Sequence, residues 1–486
     1  MHTQKKFAFD VGITLIASVI SMLMGFVITI LLGRYLGAGD LGLYRMVFTI
    51  YGIAMLFTAI GIPAAIIKYV AEFKDDGAKS DAIVSSGVIT SLIIGIVFSM
   101  LFYFSSGIFE GLFNMPGLSR LLKILSPVFP FALVGGALLG FLNGCREMKK
   151  YGASVIIQSV LMVIVTVVLI YYGFGVAGAV IGIVLSSVGS CSFLILISRN
   201  HFKITLSEYV KTTKKMLGFG AQILAAGSIN EINNQLDIIL IGFFLISADV
   251  GYYAVAIGLS RFFWLIPLSV QRITYPATST YWSENNHTAL NNMFNKSMKY
   301  CTVILVLVGL GVGFFAEAII TIIFKEDFVC AVLPLQILLI GTVIRGSIAQ
   351  PIGGSLSGIG RPDLMLKIIA VMATINVILD IIMIPRVGIV GAAIATTISL
   401  SAGALINLRM VIKHLSIKFD IRWYLGILGV ILIAIVLFGF GKSFVNSFLL
   451  GGTILIGCSF LMIKFFLTKE DKEMFKLLGY ILIPWR

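Results

Sequence analysis

An all-helical integral membrane protein of about fourteen spans is what this sequence predicts. Three observations predict it. Of the 486 residues, 59% are hydrophobic and 12% charged, and mean hydropathy is +1.05, far from the composition of a soluble domain. The apolar residues form continuous runs of the roughly 20 residues that a helix needs to cross the hydrocarbon core. Those runs lack the apolar/polar alternation of a membrane barrel, which is thereby excluded.

The spans read 12–33, 44–68, 83–104, 121–143, 152–172, 176–198, 217–243, 250–280, 298–323, 332–356, 365–384, 388–411, 423–440 and 444–467. The turn at Gly173-Phe174-Gly175 separates the fifth from the sixth. The first lacks a small-residue cleavage site and is too long for a signal-peptide core, so it is expected to be retained. The apolar tail from Met474 to Trp485 is too short to cross and is expected to lie in the interface.

Of 36 Lys and Arg residues, 26 fall on the side of the amino terminus. Only seven lie opposite: Arg34, Arg45, Arg120, Lys123, Lys325, Arg386 and Lys442. Both termini are therefore expected in the cytoplasm, in the plasma (cytoplasmic) membrane. The net charge of +14 follows from this asymmetry, and no nucleic-acid partner is needed to explain it. Cys145, Cys191, Cys301, Cys330 and Cys458 stand isolated, and the four histidines lack ligand spacing. They support no zinc, haem or disulfide framework.

An internal repeat organises the chain. Gly33, Leu36, Asp40, Gly42 and Tyr44 recur at identical spacing as Gly242, Leu245, Asp249, Gly251 and Tyr253. Gly140 and Gly144 are matched by Gly354 and Gly358, and Gly175-Val-Ala-Gly178 by Gly388-Ile-Val-Gly391. Offsets stay between 209 and 214 residues, so spans one to six and seven to twelve read as duplicates. Six is even, so both copies enter the membrane in one sense and should be related by an axis along its normal. The expected organisation is an N-lobe at 1–200, a C-lobe at 201–414, and two extra helices with the interfacial tail at 415–486. Gly136, Gly140 and Gly144 read as helix-packing positions, and the Asp40 and Asp249 motifs as tight turns on the outer side.

Charges inside spans are expensive and point to function. Away from the span ends they are Glu231, Asp237, Arg261, Arg272, Arg345 and Asp380. At 1.5 Å per residue, Asp237, Asn376, Asp380 and Thr396 lie roughly 6 to 12 Å from the outer ends of their spans. Asn376 and Asp380, at i and i+4, share a helical face. Two carboxylates, an amide carbonyl and a hydroxyl make an all-oxygen set suited to a small hard cation, with sodium first and a shared proton second. The other reading has Asp380 capping a helix end near Pro385 while Asp237 bonds neighbouring Asn side chains.

The segments YLGAGDLGLY and QLDIILIGFFLISADVGYYAVA and the duplicated halves resemble the Wzx-type polysaccharide-biosynthesis flippases of the MATE-like MOP superfamily. The resemblance spans essentially the whole chain and implies export of polyprenyl-linked sugars by alternating access. Related lipid II flippases carry a sodium site built from an Asp on span seven, Asn-x-x-x-Asp on span eleven and a Thr on span twelve. Asp237, Asn376, Asp380 and Thr396 match that pattern, and Ala392 stands where a backbone carbonyl completes it. Those relatives also carry charges in span one, whereas this chain has none between Asp10 and Arg34. Their substrate contacts are therefore not carried over.

Arg261 and Arg345 fall near mid-membrane and Arg272 deeper toward the cytoplasm. Arginine can hold phosphate oxygens by bidentate bonds while repelling cations. An ion pair with Glu231 is the alternative for any one of them, yet three arginines against one glutamate leave positive charge over. Lys68 and Arg45 are weaker candidates at the two mouths.

These readings lead to a monomeric flippase, not an enzyme, that moves a polyprenyl-diphosphate oligosaccharide outward with ion coupling. A MATE-type drug exporter is the nearest alternative, although an acidic, aromatic cavity would be expected of it. A membrane glycosyltransferase would need carboxylates in a sizeable outer loop, and Glu326-Asp327 is the only acidic pair outside. The chain has no G-x-x-x-x-G-K-[ST] phosphate loop.

Overall fold

The computed structural model describes residues 2–441 and 443–466, the side chains of 2–8, 11, 225–227 and 230 excepted. The expected interfacial tail lies outside the described residues. Among them all regular structure is helical.

The first repeat contains α1 (His2–Leu36), α2 (Ala38–Ala59), α3 (Ile62–Glu72), α4 (Gly77–Phe113), α5 (Leu118–Leu125), α6 (Val128–Gly144), α7 (Met148–Tyr171) and α8 (Gly175–Ser198). The second contains α9 (Tyr209–Phe244), α10 (Ser247–Arg261), α11 (Leu265–Ser283), α12 (His287–Phe314), α13 (Ala316–Phe324), α14 (Val332–Ile344), α15 (Ser355–Gly358), α16 (Pro362–Val387) and α17 (Ile389–Leu415). Helices α18 (Ile421–Gly441) and α19 (Ser447–Leu461) follow.

Among the described residues twelve segments are long and apolar enough to cross a membrane, and α5 with α6, bent by 46°, makes a thirteenth if the pair is one span. Helix α9 holds the predicted seventh span. Its 36 residues would reach about 54 Å, but the polar run from Asn230 to Gln235 interrupts its apolarity. The chain is a multi-pass membrane protein.

Several predicted spans are not continuous, 298–323 among them, which breaks at Phe315 between α12 and α13. The run 44–68 breaks at Ile60 and Gly61, with φ of 40° and 65°. Pro63, in the first turn of α3, has no N–H to donate to a ladder reaching back across the break, while a β-branched residue at Ile60's φ is strained. The run 121–143 starts earlier, at Leu118, and bends at Ser126-Pro127. The run 250–280 tightens to a 3-10 turn at Phe262–Trp264, and 332–356 loosens to a π-helix at Arg345–Ala349 before leaving helical geometry. Helix α16, in contrast, continues through Pro385 to Val387, so Asp380 does not cap a helix end there.

The Asp40 and Asp249 motifs each hold a turn between two helices, and the two Asp stand just past it, in the first turns of α2 and α10, where their charge complements the helix dipole. The turn before α2 is made by Gly37 alone, at φ 87°.

By contacts the chain forms two compact units, 1–255 with 384–389, and 256–383 with 390–486. In the first, Ile62, Ile66, Val84, Leu138 and Leu194 are among the buried residues of a core drawn from α3, α4, α6 and α8. Its glycines let backbones meet: a Cβ at Gly140 would strike the Pro63 carbonyl, and one at Gly144 would crowd Val70. Gly42 lies against the carbonyl of Ser247, and Gly251 against that of Ala38. The duplicated motifs of α2 and α10 thus cross each other backbone to backbone.

The second unit has one core around Leu290, Phe294, Leu356, Ile368 and Val411. Another, around Val306, Leu310, Ile427 and Cys458, seats α18 and α19 on α12. The third repeat match does the same work twice. Gly175 and Gly388 stand at φ 56° and 65°, and Gly178 and Gly391 let their helices close on Leu169 and Met383.

Candidate functional site

Asp237 lies in α9 seven residues before its end, about 10 Å along the axis. It is buried, and Tyr253 Oη donates a 2.6 Å hydrogen bond to its carboxylate. Tyr253, wholly buried in α10, is six residues into its own helix. The turn at Leu245 and Ile246 folds the second helix back so that the two residues meet at one level. Gln235, two residues nearer the helix centre, is also buried and is approached by Thr49 at 3.4 Å.

In the second unit, Asn376 and Asp380 are both buried on α16. Asn376 Nδ2 donates to Asp380 Oδ2 at 3.0 Å. This spends the donor end of the amide on the carboxylate and leaves the carbonyl oxygen as the end a cation would use. Asp380 is seven residues from the end of α16, again about 10 Å. Ala392 and Thr396 stand at i and i+4 of α17, Ala392 fully buried and Thr396 half-buried. Thr396, seven residues from the start of α17, lies at a similar depth.

The donors named above are oxygens, which fits a hard monovalent cation. Among the described residues no three His, Cys, Asp or Glu side chains gather, the arrangement a transition metal or a protein-caged calcium would ask for.

Tyr253 excepted, these polar positions belong to one copy of the repeat only. At the spacing that relates Gly33 to Gly242, Asp237 corresponds to Ile28 and Tyr253 to Tyr44. At the spacing that relates Gly175 to Gly388, Asn376, Asp380 and Thr396 correspond to Val163, Val167 and Ile183.

The basic candidates are more dispersed. Arg345 opens the π-helical turn, half-buried, with its guanidinium 5.0 Å from the Trp264 ring centre and Nη1 3.7 Å from Met372 Sδ. Arg261 ends α10 and Arg272 projects from α11, both exposed. Glu231 is exposed on α9. Arg45 is half-buried over Phe48, and Lys68 is exposed with its ammonium 4.7 Å from Tyr69 and 4.4 Å from Phe219. Sequence reasoning missed Tyr253 and Trp264 as partners. Tyr253 was visible as a repeat position, but only the turn brings it to Asp237.

Residues 7–282 match the polysaccharide biosynthesis protein family. The chain belongs to that family. It is 24% identical to the probable flippase AglR of Haloferax volcanii over 403 residues, 82% of each chain. Among solved structures, this family member resembles the lipid II flippase MurJ in an inward closed conformation, with a TM-score of 0.76 and 20% identity over 93% of this chain and 98% of that one. An inward-facing MATE multidrug transporter of the MOP superfamily gives 0.69, at 16% identity over 82% and 95%. These likenesses establish a MOP-type fold for the polysaccharide biosynthesis chain.

Proposed function

We propose that this chain is a flippase of polysaccharide biosynthesis that moves a polyprenyl-diphosphate oligosaccharide from the cytoplasmic to the outer leaflet by alternating access. It acts as a monomer in the plasma membrane with both termini in the cytoplasm, and it is not an enzyme. The observation that carries the reading is Arg345, held half-buried inside a span by Trp264, in a family of polysaccharide biosynthesis proteins. A guanidinium over an indole face is held by cation–π attraction, and its remaining N–H groups offer a fork of donors to phosphate oxygens. Arg261 and Arg272, in the same unit, add exposed positive charge.

Moving about two negative charges outward is favoured by an inside-negative potential, at roughly 2.3 kcal/mol per charge per 100 mV. Coupling then serves the return of the empty carrier. Asp380 with the carbonyl of Asn376, the Thr396 hydroxyl and the Ala392 carbonyl are the groups of the second unit that would hold sodium, whose charge would offset that of the carboxylate, and Asp237, in the first unit, is the other buried carboxylate assigned to ion coupling. A proton taken up by a buried carboxylate is the alternative. An ion that binds one conformation better than the other shifts the balance between them by that difference.

The test is reconstitution with lipid-linked oligosaccharide and sodium on one side only. Outward movement that follows the sodium gradient, and loses that dependence in Asp237→Asn, supports the reading. Export of cationic dyes with no movement of the lipid would replace it with drug export, and sugar transfer without translocation would replace it with a glycosyltransferase.

A further inference from the structure

A cavity of about 710 Å³ opens where α4 meets α5, lined by Tyr103, Glu110, Ser119, Arg120, Lys123 and Gly117. None of these residues belongs to the cation site or to the central arginines. Helix α5 has two faces. Leu118, Leu121, Leu122 and Leu125 are buried at 0–6% exposure, and the helix is thereby fixed on its support. Arg120 and Lys123, at i and i+3, are exposed on the other face. Glu110 accepts the Ser119 N–H at 2.7 Å, and Ser119 Oγ lies 3.1 Å from Ser106 Oγ, which ties α5 to α4. Lys123 Nζ stands 5.6 Å from the centre of the Tyr103 ring.

The charge here runs against the trend of the molecule. On the topology expected from the sequence only seven Lys and Arg residues fall on the side opposite the amino terminus, and two of them share one turn of this eight-residue helix. Charge balance across the membrane disfavours cations on that side, so a pair that converges on one cavity calls for a ligand. With Glu110 already accepting a backbone N–H, the lining keeps a net positive charge and suits an anion.

Beside the cavity, α4 presents Leu101, Phe104, Ile108 and Leu112 outward, at 60%, 82%, 70% and 51% exposure. A Cβ at Gly107 or Gly111 would meet nothing within 4 Å, which leaves an open apolar lane along the same helix. We propose that the cavity binds the phosphate of a membrane lipid head group through Arg120 and Lys123, with the lipid chain lying along α4. Its volume is within the range of small-ligand sites and accommodates a phosphate or diphosphate head. The inference stands independently of the flippase reading. The same chemistry is offered by a bulk anionic phospholipid and by a polyprenyl diphosphate.

Native mass spectrometry of the full chain in detergent, titrated with phosphatidylglycerol, undecaprenyl diphosphate, diacylglycerol and inorganic phosphate, tests it. Expected is binding of one or both phosphate-bearing lipids at least about tenfold tighter than diacylglycerol or inorganic phosphate, about 1.4 kcal/mol. The stronger of the two lipids names the source. The double substitution Arg120→Gln with Lys123→Gln should lower that binding about tenfold. The charge-conserving exchange Arg120→Lys with Lys123→Arg should keep it within about threefold, which separates lost charge from lost fold. Unchanged lipid binding in the glutamine variant, or diacylglycerol or inorganic phosphate binding as tightly as the lipids, would overturn the proposal.

Discussion

Tyr253 donates its hydroxyl proton to the carboxylate of Asp237 at 2.6 Å, and both side chains are buried. A carboxylate inside a span is expensive unless hydrogen bonds replace its lost water. The tyrosine supplies one such bond from the next helix of the chain. Tyr253→Phe should therefore lower stability by about 1.5–3 kcal/mol, the usual worth of a bond to a charged group. Thermal unfolding of the purified protein measures this, and a variant as stable as the wild type would contradict it.

The same experiment run in sodium and in choline chloride tests the ion. A ligand bound only by the native state at 100 times its Kd stabilises by about 2.7 kcal/mol. Wild type should melt higher in sodium. Asp237→Asn and Asp380→Asn should each lose most of that increment.

Gly42 packs directly on the Ser247 carbonyl, so Gly42→Ala forces two backbones apart. The expected cost is about 1–3 kcal/mol, as for other overpacked interiors. Gly39→Ala is the control, because its added methyl would meet only Ser247 Oγ at 3.7 Å. Since alanine is the better helix former, the control should be neutral or slightly more stable by the same melting measurement.

Asp76 caps α4, accepting the Lys79 N–H at 3.1 Å and pairing with Lys79 Nζ at 2.9 Å. The hydrogen bonds from Lys79 hold its carboxyl below the ordinary value of 3.8. A lowered carboxyl value means that the contribution is fully present above about pH 4 and disappears as pH falls through the folded-state value. Amide exchange in the first turn of α4 should show greater protection in wild type than in Asp76→Ala at pH 6. The two should converge in acid.

Arg345→Lys keeps the charge but loses the guanidinium that stands 5.0 Å from the Trp264 ring centre. If the guanidinium is a phosphate ligand, flipping should fall by roughly 3- to 30-fold, the range of a partly desolvated cation–π contact. Trp264→Leu should reproduce much of the loss. A flipping rate that responds to neither would remove Arg345 from the substrate path.

The spans were legible because membrane insertion depends on summed apolarity, which survives small errors of register. The breaks at Ile60-Gly61 and Arg345–Ala349 were not, since hydropathy is blind to backbone angles. Pro63 and Pro127 carried the available signal for the first two interruptions. Helix α9 showed the reverse difficulty. Its polar stretch weakens the apolar signal, yet the repeat with α1 identifies it as a span position. Asn376 and Asp380 could be paired from their spacing, because i and i+4 always meet on a helix. Tyr253 and Asp237 could not, since their meeting depends on the angle of a turn between two helices.

The side chains that are candidates for the cation all stand in one copy of the repeat, opposite Ile28, Val163, Val167 and Ile183 in the other. An aliphatic residue facing lipid or core can be exchanged for another with little consequence, whereas an oxygen donor has few replacements. Inherited variation should therefore settle unevenly, with the first half free to drift among hydrocarbons at the very places where the second half is held fixed.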